Sequence, residues 1–271
     1  MRRLLAVAVV LLLSRAALAQ QFEVASIKLA APDAPGMFIN STPGGRLKVT
    51  NMTLKELIAH AWRVQSFQIS GGPAWLDSVR YDISAKSEIN PKPGEAPVML
   101  QALLTERFQL TMRRETKELP VYALVLAKKD GKLGPRLTES KEGGCTERDL
   151  SKALGPPEPG NPRCGSLMVS FATLRGTSIP VAQIIPTLSR MLGRSVVDRT
   201  GLTAKFDISM EWTPDDSQMM QLPPGVPLPP SDGTRPSIFT AIQEQLGLKL
   251  ESQKGPVEIL VIERAEKPSE N

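Results

Sequence analysis

The chain writes one pentapeptide twice: "RYDIS" at 80–84, which carries Asp82, and "KFDIS" at 205–209, which carries Asp207. Aspartate is depleted in strands, so two aspartates at matching strand positions invite a chemical reading. A pair of carboxylates can act as general acid and general base, the chemistry of a hydrolase. The competing reading is structural. Arg80 and Asp82 stand two residues apart on one strand face, as do Lys205 and Asp207, so each couple can form an ion pair on the solvent side of a sheet. The chain has a single histidine, His60. On a helix starting after Thr53 it lies far from the apolar stripe, which makes it a rim residue rather than the base of a Ser-His-Asp arrangement. No GxSxG, HExxH or Walker A pattern occurs. With His and Cys so sparse, neither a zinc site nor any cofactor is expected, and EF-hand spacing is absent. No catalytic, cofactor-binding or metal residues are assigned. The expectation is a chain that is not an enzyme, with an exported hydrolase using carboxylates as the alternative.

Cys145 and Cys164 are the only two cysteines. They bracket "CTERDLSKALGPPEPGNPRC", rich in Gly and Pro, and in an exported protein an even pair reads as a disulfide. Such a bridge stabilises by about 3 kcal/mol through restriction of the unfolded chain. Candidate partner contacts are Trp75 in the loop "GGPAWLD", Trp212, and Pro223 and Pro224 in the run "LPPGVPLPP" at 222–230. Packing over its own core is the alternative for Trp75, and a plain loop is the alternative for the proline run.

The N-terminus reads as a secretory leader. "MRRLLAVAVVLLLSRAALAQ" has two arginines, an apolar run from Leu4 to Leu13 and "ALA" at 17–19, so cleavage is expected near Ala19. The run is too short to cross a bilayer as a stable helix, so no transmembrane span is expected in the mature chain. The chain carries 33 basic and 28 acidic residues, a net charge of +5. Without Arg2, Arg3 and Arg15 the balance falls to 30 against 28, or +2. No dense basic block remains, which argues against a nucleic-acid partner. The expected place is the periplasm or the medium.

The elements that must position these residues follow from periodicity. "FEVASIKLA" alternates and then changes phase, which predicts a strand with a bulge. "TLKELIAHAWRVQSF" has helical spacing, with Thr53 as N-cap and Glu56 completing a capping box. "VMLQALLTERFQL" predicts a second helix that buries Met99, Leu100, Leu103, Leu104 and Phe108. "LTMRRETKELPVYALVLAKK" reads as a hairpin. In the second half "VAQIIPTLSRMLG" is a helix kinked or divided by Pro186, "PSIFTAIQEQLG" is a helix capped by Ser237 and stopped by Gly247, and "LKLESQKGPVEILVIERAE" again reads as a hairpin.

Both halves therefore run in the same order. "LLTERFQLTM" at 103–112 lies over "AIQEQLGLKL" at 241–250, and "PVYALVLA" at 120–127 over "PVEILVIE" at 256–263. The fold expected is α+β, made of two tandem duplicated small domains. Each is a hairpin, helix, strand, helix and hairpin, with helices packed on short mixed sheets. The boundaries expected are a leader at 1–19, a first copy at 20–137, a Gly/Pro-rich linker at 138–165 and a second copy at 166–267 that contains a Pro-rich loop at 213–236.

The runs "FEVASIKL", "GGPAWLDSVRYDISAK", "LLTERFQLTMRRETKELPVYALVLAK", "VVDRTGLTAKFDISMEWTPD" and "IFTAIQEQLGLKLESQKGPVEILVIERAEKPSEN" closely resemble a family of secreted proteins of unknown function from soil bacteria. That resemblance brings no established activity. It implies an extracytoplasmic sensing or interaction role with an unknown envelope or extracellular protein. Many members of that family have His where this chain has Arg113. Each half, through "TLKELIAHA" with "MLQALLTERFQL" and "VAQIIPTLS" with "IFTAIQEQLGL", also resembles the short N-terminal domain of secretins and TonB-dependent receptors. That second resemblance implies protein docking rather than catalysis.

Overall fold

Alternation decides the strands that matter most. In "RLKVTNMT" and "RYDISAK", Leu47 and Val49, then Tyr81, Ile83 and Ala85, are buried, while the residues between them face outward. A period of two places one apolar face on a core and one polar face in solvent. The computed structural model describes residues 21–31, 34, 36–42, 44–88, 90–92, 94–147, 162–170, 172–214 and 235–269. The expected leader, residues 148–161 of the linker, and residues 215–234 with Pro223 and Pro224 lie outside the described residues.

The chain is α+β and divides into two compact units, Met1–Lys117 with Glu258–Asn271, and Glu118–Val257. In the first unit, β1 (Val24–Leu29), β2 (Phe38–Thr42), β3 (Arg46–Thr53) and, further on, β5 (Arg80–Lys86) form an antiparallel sheet in the order β1-β5-β3-β2. Thr53 ends β3 and opens α1 (Leu54–Trp62). Its hydroxyl accepts from the Glu56 N–H at 3.2 Å, and the Glu56 carboxylate accepts from the Thr53 N–H at 2.8 Å. These two bonds satisfy orphan donors at the helix start, as the capping box in the sequence requires. α1 stops earlier than its periodicity suggests, because Arg63 takes a left-handed conformation at φ 56°. α2 (Glu95–Arg107) begins three residues before the predicted run and buries Met99, Leu100, Leu103 and Leu104. Both helices share one core with the inner face of the sheet. β4 (Ile69–Gly71) pairs in parallel with Leu260–Ile262. A Cβ on Gly71 would stand 2.7 Å from the Ile262 carbonyl oxygen, and φ is +78° there, so this close approach requires glycine.

In the second unit, β7 (Leu137–Glu139), β8 (Ser166–Ser170), β9 (Thr173–Pro180) and β11 (Lys205–Glu211) form an antiparallel sheet in the order β7-β11-β9-β8. A 3₁₀ turn at Val181–Gln183 leads into α3 (Ile185–Met191), so the helical run is divided as Pro186 demands. β10 (Val196–Asp198) pairs in parallel with Tyr122–Leu124. α4 (Ile238–Leu246) is capped by the Ser237 side chain and ends at Gly247, φ 70°. Leu174, Phe206, Ile208, Trp212, Ile242 and Leu246 lie in one core.

Three expectations fail. The two terminal hairpins are absent: β6 (Thr111–Leu126) and β12 (Leu248–Arg264) are single long strands. The polar stretches Thr116–Glu118 and Ser252–Lys254, which read as turns, are exposed extended backbone. Side chains already in solvent do not oblige the chain to turn. The bulge is also misplaced. β1 pairs with β5 in an unbroken register from Val24 to Leu29, and the irregularity lies in β3.

Candidate functional site

The repeated aspartates hold backbone. Between Val49 and Met52 the register of β3 against β5 slips, so Thr50 and Asn51 stand opposite Asp82 alone. Between Gly176 and Ile179 the register of β9 against β11 slips in the same way, and Thr177 and Ser178 stand opposite Asp207. Two residues facing one define a β-bulge. In both, the second bulge residue is left-handed, Asn51 at φ 54° and Ser178 at φ 51°. That conformation is costly without glycine and turns the N–H out of the ladder. The carboxylate opposite takes it: Asp82 Oδ1 accepts from the Asn51 N–H at 2.8 Å, and Asp207 Oδ1 from the Ser178 N–H at 2.9 Å. Asp207 Oδ1 also accepts from the Ser140 hydroxyl at 2.9 Å.

The expected ion pairs along the strand are therefore corrected. Arg80 turns away from Asp82, donating to the Asn51 carbonyl at 2.7 Å and pairing with Glu56 at 3.3 Å. Lys205 forms no ion pair with Asp207 among the described residues. A bulge N–H is a fixed donor in a known place, and it competes better for the carboxylate than a flexible side chain does.

His60 sits exposed on the last turn of α1. Partial desolvation, and then the Arg63 guanidinium, lower its pKa from the ordinary 6.5. Trp75, on a 3₁₀ turn at Ala74–Asp77, is half-buried and packs on the first core, its ring 6.5 Å from that of Phe108. Phe108 in turn meets Tyr81 edge to face at 5.1 Å. Tyr81 is 2% exposed and its hydroxyl has no hydrogen-bond partner, and burial raises its pKa. Trp212 is 0% exposed, which removes it from the candidate partner contacts. It continues the alternation of β11, so its ring points into the second core. Cys145 and Cys164 are joined as a disulfide with Cα atoms 5.2 Å apart. Backbone bonds support it: the Thr146 N–H donates to the Pro162 carbonyl and the Cys164 N–H to the Thr146 carbonyl, both at 3.0 Å.

A cavity of about 360 Å³ opens on the outer face of the first sheet. Val24 and the backbone around the core-facing Leu47 and Ala85 contribute to its lining. Around it stand three cations, Arg46, Lys48 and Lys86, and three uncharged polar side chains, Asn40, Thr42 and Ser84. Strand register explains the grouping. Thr42, Arg46, Lys86 and Val24 form one cross-strand row, and Asn40, Lys48 and Ser84 the next. Among the described residues no carboxylate lines the cavity. Among the described residues none of the three cations is ion-paired, although Glu23 and Glu88 are near in sequence. The sequence holds part of this signal, since alternation puts Ser84 and Lys86 on one face of "RYDISAK". It does not say that β3 lies beside β5 in the register that brings Arg46 and Lys48 to them.

Residues 55–265 match the family described as "Protein of unknown function (DUF3738)". No curated protein and no solved structure matches the chain.

Proposed function

The chain belongs to the DUF3738 family, and we propose that it is a non-catalytic binding or sensing module that works outside the cytoplasm. The observation that carries this reading is the use made of Asp82 and Asp207. The residues best suited to acid–base chemistry by type are each committed to a bulge N–H. A carboxylate held by a backbone donor is a structural clamp and a poor proton shuttle. The open cavity, with cations and hydroxyls but no carboxylate, suits reversible binding. The Cys145–Cys164 bridge and the leader-like N-terminus favour an oxidising compartment. Among the described residues no helix is long and apolar enough to cross a membrane.

The same bulges favour an origin by internal duplication. Sheet orders β1-β5-β3-β2 and β7-β11-β9-β8 place the repeated pentapeptide on the second strand of each, opposite a left-handed residue in the third. So specific a device is more economically explained by copying than by two inventions.

The test is equilibrium dialysis of the oxidised, exported protein against a soluble envelope extract, with both compartments read by mass spectrometry. A component enriched unchanged on the protein side is the expected result. Conversion of a component to a product, abolished by Asp82→Asn or Asp207→Asn, would overturn the reading in favour of an exported hydrolase.

A further inference from the structure

The cavity on the outer face of the first sheet is built around a charge conflict. Arg46 and Lys86 are direct cross-strand partners, and Lys48 is the next outward-facing residue along β3. Like charges directly opposite one another on a sheet face are destabilising. Sheets ordinarily relieve this with an opposite charge. Asp82, on this face, is turned to the Asn51 N–H, and among the described residues no carboxylate lines the cavity. Asn40, Thr42 and Ser84 add neutral groups able to donate hydrogen bonds beside the three cations.

We propose that this cavity binds a small phosphorylated ligand, its phosphate between Arg46, Lys48 and Lys86. The proposal rests on the reading of the chain as a binding module and names the ligand class. A phosphate group carries up to about two negative charges and several acceptor oxygens, which suits three converging cations. A carboxylate carries one charge and would leave two of the three unanswered. The guanidinium of Arg46 supplies a planar fork and the two lysines supply point charges, a usual division of labour around phosphate. Asn40, Thr42 and Ser84 take remaining phosphate oxygens. Val24, 62% exposed, with the aliphatic stems of the lysines, offers a small apolar surface to the rest of the ligand. The volume, about 360 Å³, is at the low end for small-molecule sites, so the ligand is compact. The phosphate could be that of a soluble metabolite or that of a lipid headgroup, and the experiment separates the two.

The full exported chain is titrated with sodium pyrophosphate by calorimetry at low ionic strength. In parallel it is sedimented with phosphatidylcholine vesicles, with and without phosphatidylglycerol. Saturable pyrophosphate binding that weakens with added salt is the expected result for a soluble ligand. Saturable binding only to the phosphatidylglycerol vesicles assigns the site to a headgroup. Lys86→Glu, and the milder Lys86→Gln, are expected to weaken either binding by about tenfold or more, the worth of a charge-assisted hydrogen bond. Lys249→Glu, an equal charge change on the exposed surface of the other unit, is expected to leave it within about twofold. Absence of saturable binding to both probes overturns the proposal. So does an equal loss in Lys249→Glu, which would mean attraction to net charge. If the cavity fails these tests but envelope dialysis still enriches a component, the binding-module reading stands and only the ligand site is wrong.

Discussion

The outer faces of the two antiparallel sheets differ where their frames agree. Each sheet has the same strand order and the same aspartate-held bulge, and from that landmark outward the residues can be paired by register. Ser84 opposite Lys48 corresponds to Ser209 opposite Arg175, and Lys86 opposite Arg46 corresponds to Glu211 opposite Thr173. Around its cavity the first face keeps three cations, Arg46, Lys48 and Lys86, with no ion pair among the described residues. The second has Thr173 in place of Arg46 and Glu211 in place of Lys86, and Glu211 lies 3.5 Å from Arg136 and 4.0 Å from Arg175. One face therefore neutralises itself and the other awaits an anion. The difference teaches that the bulge belongs to the frame and the charges to the task.

The largest effects should come from what each frame is packed on. Trp212 is fully buried in the second core, whereas Trp75 lies half-buried over the first. Trp212→Ala is expected to cost about 3–5 kcal/mol, the usual range for emptying a buried aromatic site. Trp75→Ala should cost about 1–2 kcal/mol, because part of its surface is already in water. Urea unfolding of the two variants measures both, and a greater loss for Trp75 would reverse the ranking of the two tryptophans. The staple is a second asymmetry. It lies in the second unit, where it closes a separation of 19 residues. Reduction should cost up to about 3 kcal/mol of that unit's stability. Protease susceptibility of each unit, before and after reduction, checks that the loss stays on one side.

The bulges give the sharpest test of sameness. Asp82→Asn and Asp207→Asn keep the shape but weaken the acceptor for the Asn51 and Ser178 N–H groups. Each should cost about 1–2 kcal/mol, the two losses agreeing within about 0.5 kcal/mol. A large loss at one and none at the other would mean that only one bulge depends on its aspartate. Glu211→Gln addresses the faces themselves. It leaves Arg136 and Arg175 without this counter-ion, so the second face, like the first, carries unanswered cations. Stability should change by less than about 1 kcal/mol, since the pairs are exposed, while pyrophosphate gains a second, weaker site. A stoichiometry that stays unchanged would show that cations alone do not make the cavity.

How much of this was legible in the sequence depends on the range of the interaction. Local signals were read directly: the Thr53–Glu56 capping box, the Ser237 cap, the stop at Gly247 and the division at Pro186 all involve residues within four positions of one another. The inward faces of β5 and β11 were legible too, because alternation is local. What failed was non-local. Thr116–Glu118 looks like a turn until its strand is seen to continue to Leu126. A local reading pairs Asp82 with Arg80 because both lie on one strand, but its partner is Asn51, 31 residues away. Arg46, Lys48 and Lys86 form one cluster only after β3 and β5 are laid side by side. A sequence shows a charge and its face, and pairing register decides which charges meet.

The smallest expected effect concerns His60, which has no counterpart in the second unit because it is the only histidine. Its pKa in the folded chain lies below the ordinary 6.5, since partial burial and Arg63 both disfavour the imidazolium. The unfolded chain thus binds more protons between the folded value and 6.5, and stability must rise with pH across that window. The cost of charging His60 is absent above 6.5 and complete once the pH has fallen below the folded value. Because His60 is only partly removed from solvent, the change is on the order of 1 °C or less in Tm. Melting curves of the parent chain and of His60→Gln at pH 5.5 and 7.5 provide the measurement. The variant should lose a little less stability on acidification than the parent. An identical acid loss in both would show that His60 contributes nothing to the pH dependence.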